Sequence, residues 1–203
     1  MSEDVIGEIS KQAQDYYKNI PIIILGSGAS AAFNMSGMWK LAQHLMANVV
    51  VSDLCEHEKT SWKNFTEQLK NEVDLETALH EVALTPKLTH RVVNETWKLL
   101  APEDISVFED SLINKVYFPL GQLLKHMFRS TAKELNIITP NYDRLAEYAC
   151  EQENIHHYSG FSHGFRGNTV KKDYLTCSRQ VNIWKVHGSL GWFLNDDGVI
   201  TSL

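Results

Sequence analysis

The strongest constraint on the fold is a short isoleucine-rich run that ends at a glycine pair. Residues 21–25 are all apolar, and Gly26, Ser27 and Gly28 follow at once. Short, continuous apolar runs are typical of strands that are buried on both faces of a parallel sheet. We therefore expect a buried parallel strand at residues 21–25, with the glycine-rich segment at its carboxyl end.

Two further apolar runs, residues 135–139 and 181–186, also end in small or polar residues. The residues that follow them are Pro140, Asn141, Asp143, His187, Gly188 and Ser189. A helical pattern at residues 143–152 and a further short strand expected at 155–158 lie between them, which indicates βαβ alternation. Ligands of open α/β sheets bind beyond the carboxyl ends of the strands, so we expect the three motifs to converge on one site.

The remainder of the chain predicts mainly helices. Residues 5–18 have helical spacing, and residues 38–128 are mostly helical in pattern, with breaks expected near Ser52, Asn71, Pro86 and Pro102. Residues 160–179 are expected to be irregular. The predicted fold is therefore α/β, a Rossmann-like parallel sheet in one domain over residues 1–203, with a large helical insertion at about 38–130.

An apolar stripe runs along the end of this insertion. We expect it to form core between helices, and an oligomer surface is the alternative. Its residues are Trp97, Leu100, Val107, Phe108, Leu112, Val116 and Leu120.

Composition excludes several classes of protein. The net charge is −6 and no basic stripe is present, so nucleic acid is not an expected direct partner. Cys55, Cys150 and Cys177 lie far apart without any CxxC pair, which fits neither a disulfide framework nor a zinc site. The acidic first residues and the absence of an 18-residue apolar run predict a soluble cytoplasmic protein without membrane contact.

Each polar motif has a functional and a structural interpretation. Residues 26–31 fit G-x-G-x-x-A, which favours a dinucleotide, although a glycine pair also serves as a simple turn. Asn141 and Asp143 can project into the crevice, or either can cap the following helix. His187 is suited to proton transfer near neutral pH, whereas most of the nine histidines must be surface or packed residues.

Taken in order, G-S-G-A-S at 26–30, T-P-N-Y-D at 139–143 and K-V-H-G-S at 185–189 resemble three motifs of the sirtuin superfamily. These are its glycine-rich loop, its T-x-N-x-D segment and its H-G segment. The resemblance is closest to the bacterial sirtuin-like domains of anti-phage defence systems, which act mainly as NAD hydrolases. It implies that Asn141 and His187 form the catalytic pair. The NAD-binding residues that it implies are Gly26, Ser27, Gly28, Ala29, Ser30, Asp143, Gly188 and Ser189.

By the same resemblance, Asp143 recognises the nicotinamide end and the glycine-rich loop holds the phosphates. The chain departs from deacetylase sirtuins in three ways: residues 33–39 contain no Asp-Phe-Arg, the zinc cysteines are absent, and the helical stretch replaces the acyl-peptide cleft. These departures argue against an acetyl-lysine substrate. We also expect residues 1–203 to be the N-terminal part of a longer chain.

The predicted function is hydrolysis of NAD to nicotinamide and ADP-ribose, in linear or cyclised form, for defence by NAD depletion. We expect no zinc, and a homo-oligomer or a complex with a partner defence protein. The alternatives are a non-catalytic module that binds NAD or ADP-ribose, a deacylase, and a nicotinamide-dependent oxidoreductase. The last would need a strand at residues 49–53 ending at Asp53, but the apolar spacing before Asp53 favours a helix.

Overall fold

The computed structural model describes residues 3–18, 20–162, 167–170, 179–195 and 197–202. The chain divides into two compact units. The sheet unit comprises Met1–Ser27 and Phe108–Leu203, and the helical unit comprises Gly28–Val107. The expectation of one domain with an insertion at about residues 38–130 stays a prediction.

Among the described residues, no helix is both long and apolar enough to cross a membrane.

Seven strands and eight helices are formed by the residues that the structure describes. The strands are β1 (Ile22–Ile24), β2 (Glu134–Thr139), β3 (His157–Tyr158), β4 (Gly167–Asn168), β5 (Gln180–Lys185), β6 (Trp192–Leu194) and β7 (Ile200–Ser202). The helices are α1 (Glu3–Lys18), α2 (Ser27–Ala31), α3 (Met38–Asn48), α4 (Glu56–Lys70), α5 (Leu75–Glu81), α6 (Pro86–Leu112), α7 (Pro119–Met127) and α8 (Leu145–Gln152).

The sheet unit is built on a four-stranded parallel sheet in the order β1-β2-β5-β3. One face of this sheet packs against α7 and α8, because the inward residues of β2 and β5 are apolar. This core contains Leu124, Met127, Phe128, Ala132, Leu135, Ile137, Ala146, Cys150, Val181 and Ile183. The predicted α/β class, with a Rossmann-like parallel sheet and helical elements, is confirmed.

The opposite face of the sheet carries a polar ladder across β2 and β5. The Asn182 side chain is fully buried, and its Nδ2 donates to Asn136 Oδ1 at 3.1 Å. Gln180 Nε2 donates to Asn182 Oδ1 at 2.8 Å, and Trp184 Nε1 donates to Asn136 Oδ1 at 3.1 Å. These bonds satisfy the buried amides, which would otherwise be costly in the middle of a sheet.

The prediction that residues 21–25 are buried on both faces is wrong. Ile22 and Ile24 are 60% and 74% exposed, and only the alternate residues Ile23 and Leu25 pack against the core of the sheet unit. Ile22 and Ile24 alternate with Ile23 along the strand, so they lie on the opposite face of the sheet, which the described residues leave exposed at this edge strand. Its parallel pairing with β2 is as predicted.

A second, antiparallel sheet of strands β4, β7 and β6 was not predicted. Its strands have only two or three residues each, too few for an alternating pattern to be visible in the sequence. Strand β4 lies within the segment 160–179 that was expected to be irregular. Residues 163–166 and 171–178 of that segment, which include Cys177, lie outside the described residues.

The helical unit has its own core between α3, α4, α5 and the first part of α6. Its largest fully buried side chains are those of Leu45, Phe65 and Leu88. The predicted breaks near Ser52, Asn71 and Pro86 are confirmed, since these residues separate or begin helices. The break at Pro102 is wrong, because Pro102 lies inside α6 between buried Ala101 and Asp104. Packing on both sides of the proline outweighs its missing backbone hydrogen bond.

The apolar stripe along α6 is only partly core. Leu100 and Val107 are buried as expected, but Trp97 is 43% exposed and Leu112 is 65% exposed. The predicted stripe covers more of the circumference of the helix than a single buried face does, so some of its residues are exposed.

No strand forms at residues 49–53, so the strand on which the oxidoreductase interpretation depended is absent. Helix α3 ends at Asn48, and Asp53 lies in an exposed turn. Arg91 donates to its carboxylate at 2.6 Å and holds the pKa of Asp53 below its ordinary value. Asp53 therefore forms an ion pair with Arg91 at the surface of the helical unit.

The close approach of α7 to α8 gives a test of the packing. A Cβ atom on Gly121 would lie 2.5 Å from the carbonyl oxygen of Ala149, so Gly121→Ala should lower the free energy of unfolding by about 1–3 kcal/mol. Gly7 in α1 has open space around it, and Gly7→Ala should raise stability by up to about 1 kcal/mol. Urea denaturation measures both variants. Equal effects of the two substitutions would contradict this packing.

Candidate functional site

The candidate site lies at the carboxyl ends of three neighbouring parallel strands. Strands β1, β2 and β5 are adjacent in the sheet, so the segments that follow them leave from the same edge. These segments begin at Leu25, Pro140 and Val186. The sheet unit therefore brings Gly26, Asn141 and His187 to one edge, as the sequence motifs require.

Hydrogen bonds through Thr139 join the first two strand ends. The buried Thr139 hydroxyl donates to the carbonyl oxygen of Leu25 at 3.0 Å and accepts from the backbone N–H of Asn141 at 3.1 Å. The Asn141 side-chain amide then donates to the carbonyl oxygen of Gly26 at 2.9 Å. Asn141 therefore contacts the glycine-rich segment directly.

The third strand end is joined to the second at two points. Val186 N–H donates to the Thr139 carbonyl at 3.1 Å, and Leu190 N–H donates to the Tyr142 carbonyl at 2.8 Å. The intervening turn requires glycine, because Gly188 has a φ of 103°, a conformation that other residues rarely adopt. The turn that carries His187 is thus fixed at both of its ends.

The imidazole of His187 projects from this turn and is exposed. Within the described part of the chain, no hydrogen bond or ion pair engages its ring. A packed structural histidine would be buried or bonded, and His187 is neither. Its ring is therefore accessible to a bound molecule.

Asp143 makes the contact with the following helix that the sequence analysis gave as the alternative to projection into the crevice. Its side chain is buried, and Oδ1 accepts from the backbone N–H of Leu145 at 3.2 Å, where α8 begins. Asp143 therefore helps to cap α8, while the Asn141 side chain contacts Gly26 instead. A role for Asp143 in recognising nicotinamide stays a prediction.

The glycines of the first motif have room around them. An added Cβ on Gly26 or Gly28 would meet no atom of the structure within 4 Å, and neither residue has a positive φ. A simple turn would explain these glycines by backbone conformation or crowding, and neither applies here. Neither conformation nor crowding within the described residues therefore requires glycine at these two positions. Of the rest of the motif, Ser27 begins α2, Ala29 is half-buried and Ser30 is buried.

A buried charged pair lies beneath the site and was not predicted. Lys185, the last residue of β5, has a side chain only 1% exposed, and its ammonium donates to the carbonyl oxygen of Asp143. The same ammonium lies 3.3 Å from Glu147 Oε1 on the first turn of α8. The available signal was a single lysine within the apolar run 181–186, since a charge in a buried strand needs a partner.

A cavity of about 350 Å³ borders the site on the side of α8. Its lining includes Glu147, Tyr148, Ser189 and Trp192. The second carboxylate oxygen of Glu147, Oε2, is buried and has no hydrogen-bond partner among the described residues. A larger cavity of about 660 Å³ is lined by residues around Met127 and Leu135 and does not include the candidate residues.

The described residues contain no group of three or more His, Cys, Asp or Glu side chains placed to hold a metal ion. Cys150 is fully buried, and its burial, together with the carboxylates of Glu147 and Glu151, raises the pKa of the thiol. A thiol kept protonated is a poor zinc ligand. Cys55 is exposed at the start of α4.

The fold and these strand ends define a class of protein: an α/β protein with a Rossmann-like sheet and a polar site at the edge where ligands bind. A family model described as a SIR2-like domain matches residues 135–202, about a third of the chain. The match supports a sirtuin-like domain and includes Asn141, Asp143 and the segment from His187 to Ser189. Sirtuin-like domains use NAD. No curated protein matches the chain.

The Thr139 hydroxyl gives a test of how the site is held. Thr139→Val should lower the free energy of unfolding by about 1–3 kcal/mol, because the Leu25 carbonyl and the Asn141 N–H would both lose their partner. Thr139→Ser keeps the hydroxyl and is the matched control. Urea denaturation compares the two, and a valine variant as stable as the serine variant would contradict the arrangement.

We also expect no zinc to copurify with the protein. Its three cysteines lack paired spacing, and four-coordinate zinc sites need ligands within about 2.3 Å of the metal. Elemental analysis of the purified chain measures this. Stoichiometric zinc that is lost from a Cys55→Ser or Cys177→Ser variant would overturn the expectation.

Proposed function

We propose that this chain is an NAD hydrolase that cleaves the bond between nicotinamide and ribose. The observation that carries the proposal is that the exposed His187 and the Asn141 amide follow the adjacent parallel strands β5 and β2, at the same edge of the sheet. Both residues lie in the part of the chain that matches the SIR2-like domain model. The proposed products are nicotinamide and ADP-ribose.

The surroundings of the site suit a dinucleotide. Gly26 and Gly28 leave open space where a side chain would otherwise stand, and so does Gly188 beside His187. We propose that the backbone of the glycine-rich segment, Gly26 to Ser30, binds the phosphates of NAD. Gly188 and Ser189 would then contact the sugar, and Asp143 would face the nicotinamide end.

The proposed chemistry assigns one step to each catalytic residue. Breaking the bond to nicotinamide builds positive charge on the ribose, as in glycoside cleavage. Asn141 holds the attacking water or a ribose hydroxyl by hydrogen bonding. His187 accepts the proton that the water loses as it bonds to the ribose carbon, and nicotinamide leaves with the electron pair of the broken bond.

The biological role follows from resemblance alone. The motifs resemble those of bacterial anti-phage defence domains, so we propose that cytoplasmic NAD depletion is the purpose of the reaction. Free hydrolysis would drain a cofactor that every cell needs. Assembly into a homo-oligomer, or a complex with a partner defence protein, would restrain it.

Two substitutions test the mechanism. His187→Ala and Asn141→Ala should each lower nicotinamide release by about 10²–10⁴-fold, the usual contribution of a general base or of correct orientation. The control is His156→Ala, because His156 is also exposed in the sheet unit but precedes β3, at the amino ends of the parallel strands rather than at their carboxyl ends. Chromatography of NAD incubations measures nicotinamide, and circular dichroism checks the fold. Parent-like rates in His187→Ala would remove histidine from the mechanism.

Binding and catalysis can be separated with a third variant. Gly28→Val has space for its side chain in the protein, so it should fold, but it should weaken NAD binding about tenfold or more by blocking the backbone. The two alanine variants should still bind NAD in calorimetric titrations. Tight NAD binding by the parent without nicotinamide release would favour the non-catalytic module instead.

A further inference from the structure

Lys185 is a charged residue at a place where the fold would accept an apolar one. It ends β5, one of the two inner strands of the sheet, and its side chain is 1% exposed. Its neighbours along the chain are Trp184 and Val186. Its ammonium reaches two partners, the Asp143 carbonyl and the Glu147 carboxylate. The pair is therefore desolvated almost completely, since the Glu147 side chain is only 11% exposed.

Stability does not account for this pair. Removing two charges from water costs about as much as their attraction returns, and apolar residues of similar volume often stabilise a protein equally well. Buried ion pairs can instead specify one arrangement of the elements that they join. Here the joined elements are the end of β5, the turn after β2 and the first turn of α8.

The position of Lys185 connects both proposed catalytic residues. It lies two residues before His187 and directly opposite Thr139 in the register of β5 with β2. Its bond to the Asp143 carbonyl holds the turn that contains Asn141. A shift of that turn would change the distance between the Asn141 amide and the His187 ring.

We propose that Lys185 is a positioning residue for the reaction at this site, an inference that rests on the proposed function. The ammonium fixes the Asp143 carbonyl, and thereby the turn carrying Asn141, against the strand that carries His187. Glu147 holds the ammonium in place with Oε1, and its buried Oε2 has no hydrogen-bond partner among the described residues. Neither Lys185 nor Glu147 needs to contact NAD.

The test replaces both charges together. A single substitution would leave the other charge buried and unpaired, so loss of folding would be uninformative. The double variant Lys185→Met/Glu147→Met keeps the side-chain volume and removes the charges. We expect its melting temperature and NAD affinity to stay close to those of the parent, while kcat falls by about 100-fold, the usual effect of misplacing reacting groups by an ångström.

A second readout does not depend on activity. Leu190 and Asn141 donate backbone N–H bonds that hold the two turns, so their amide hydrogens should exchange faster in the double variant. Amides in the middle of β2 and β5 should exchange as in the parent. Tyr158→Phe is the control: it removes a buried bond to the Val170 carbonyl in the same unit without touching the turns. Its kcat and turn exchange should match the parent.

The outcomes separate this inference from the proposed function. A folded double variant with parent kcat and parent exchange at Leu190 would overturn the positioning role. Absence of nicotinamide release from the parent would refute NAD hydrolysis, and exchange alone would then decide whether Lys185 holds the turns. Should the double variant not fold, the variant Lys185→Arg decides. Arginine keeps the positive charge, but its planar guanidinium cannot donate from the same point, so kcat must fall at unchanged stability. A kcat equal to that of the parent would overturn the proposal.

Discussion

The parallel pairing of β2 with both β1 and β5 is the constraint on which the candidate site depends. In a parallel sheet, adjacent strands end at the same edge, so three motifs far apart in sequence come within hydrogen-bonding distance. Thr139 shows the result most directly, because its hydroxyl contacts Leu25 at the end of β1 and its carbonyl contacts Val186 at the end of β5. A shift of β2 by one residue would break all of these contacts and turn Thr139 to the other face.

Much of this arrangement could be predicted from the sequence. The apolar runs that became β2 and β5 are long enough to specify buried parallel strands, and the helix of the βαβ unit follows from its periodicity. Burial of β1 could not be predicted in the same way. Its three isoleucines are identical in the sequence, but an edge strand buries only the one that faces the core. Edge or centre is a property of the sheet order, which no local pattern encodes.

The contacts that hold the candidate site were harder to foresee than its residues. Asn141, Asp143 and His187 stand out because polar residues follow apolar runs. The pairing of Lys185 with Glu147 joins residues 38 positions apart in sequence, and only the packing of α8 on β5 brings them together. The hydrogen bonds of Asn182 could not be predicted either, because a single amide within an apolar run does not indicate which side chains will bond to it. Long-range partners of buried polar groups are decided by tertiary structure.

The contact between the Asp143 side chain and α8 affects how sequences that have diverged from this chain should be compared. The Asp143 carboxylate accepts from the first backbone N–H of α8, so selection for folding alone would favour an aspartate there. His187 is exposed and has no such structural contact among the described residues. In a lineage that had lost catalysis but kept the fold, the histidine would drift while the aspartate remained. Under the proposed function, Asp143 would therefore mark descent, whereas His187 would mark activity.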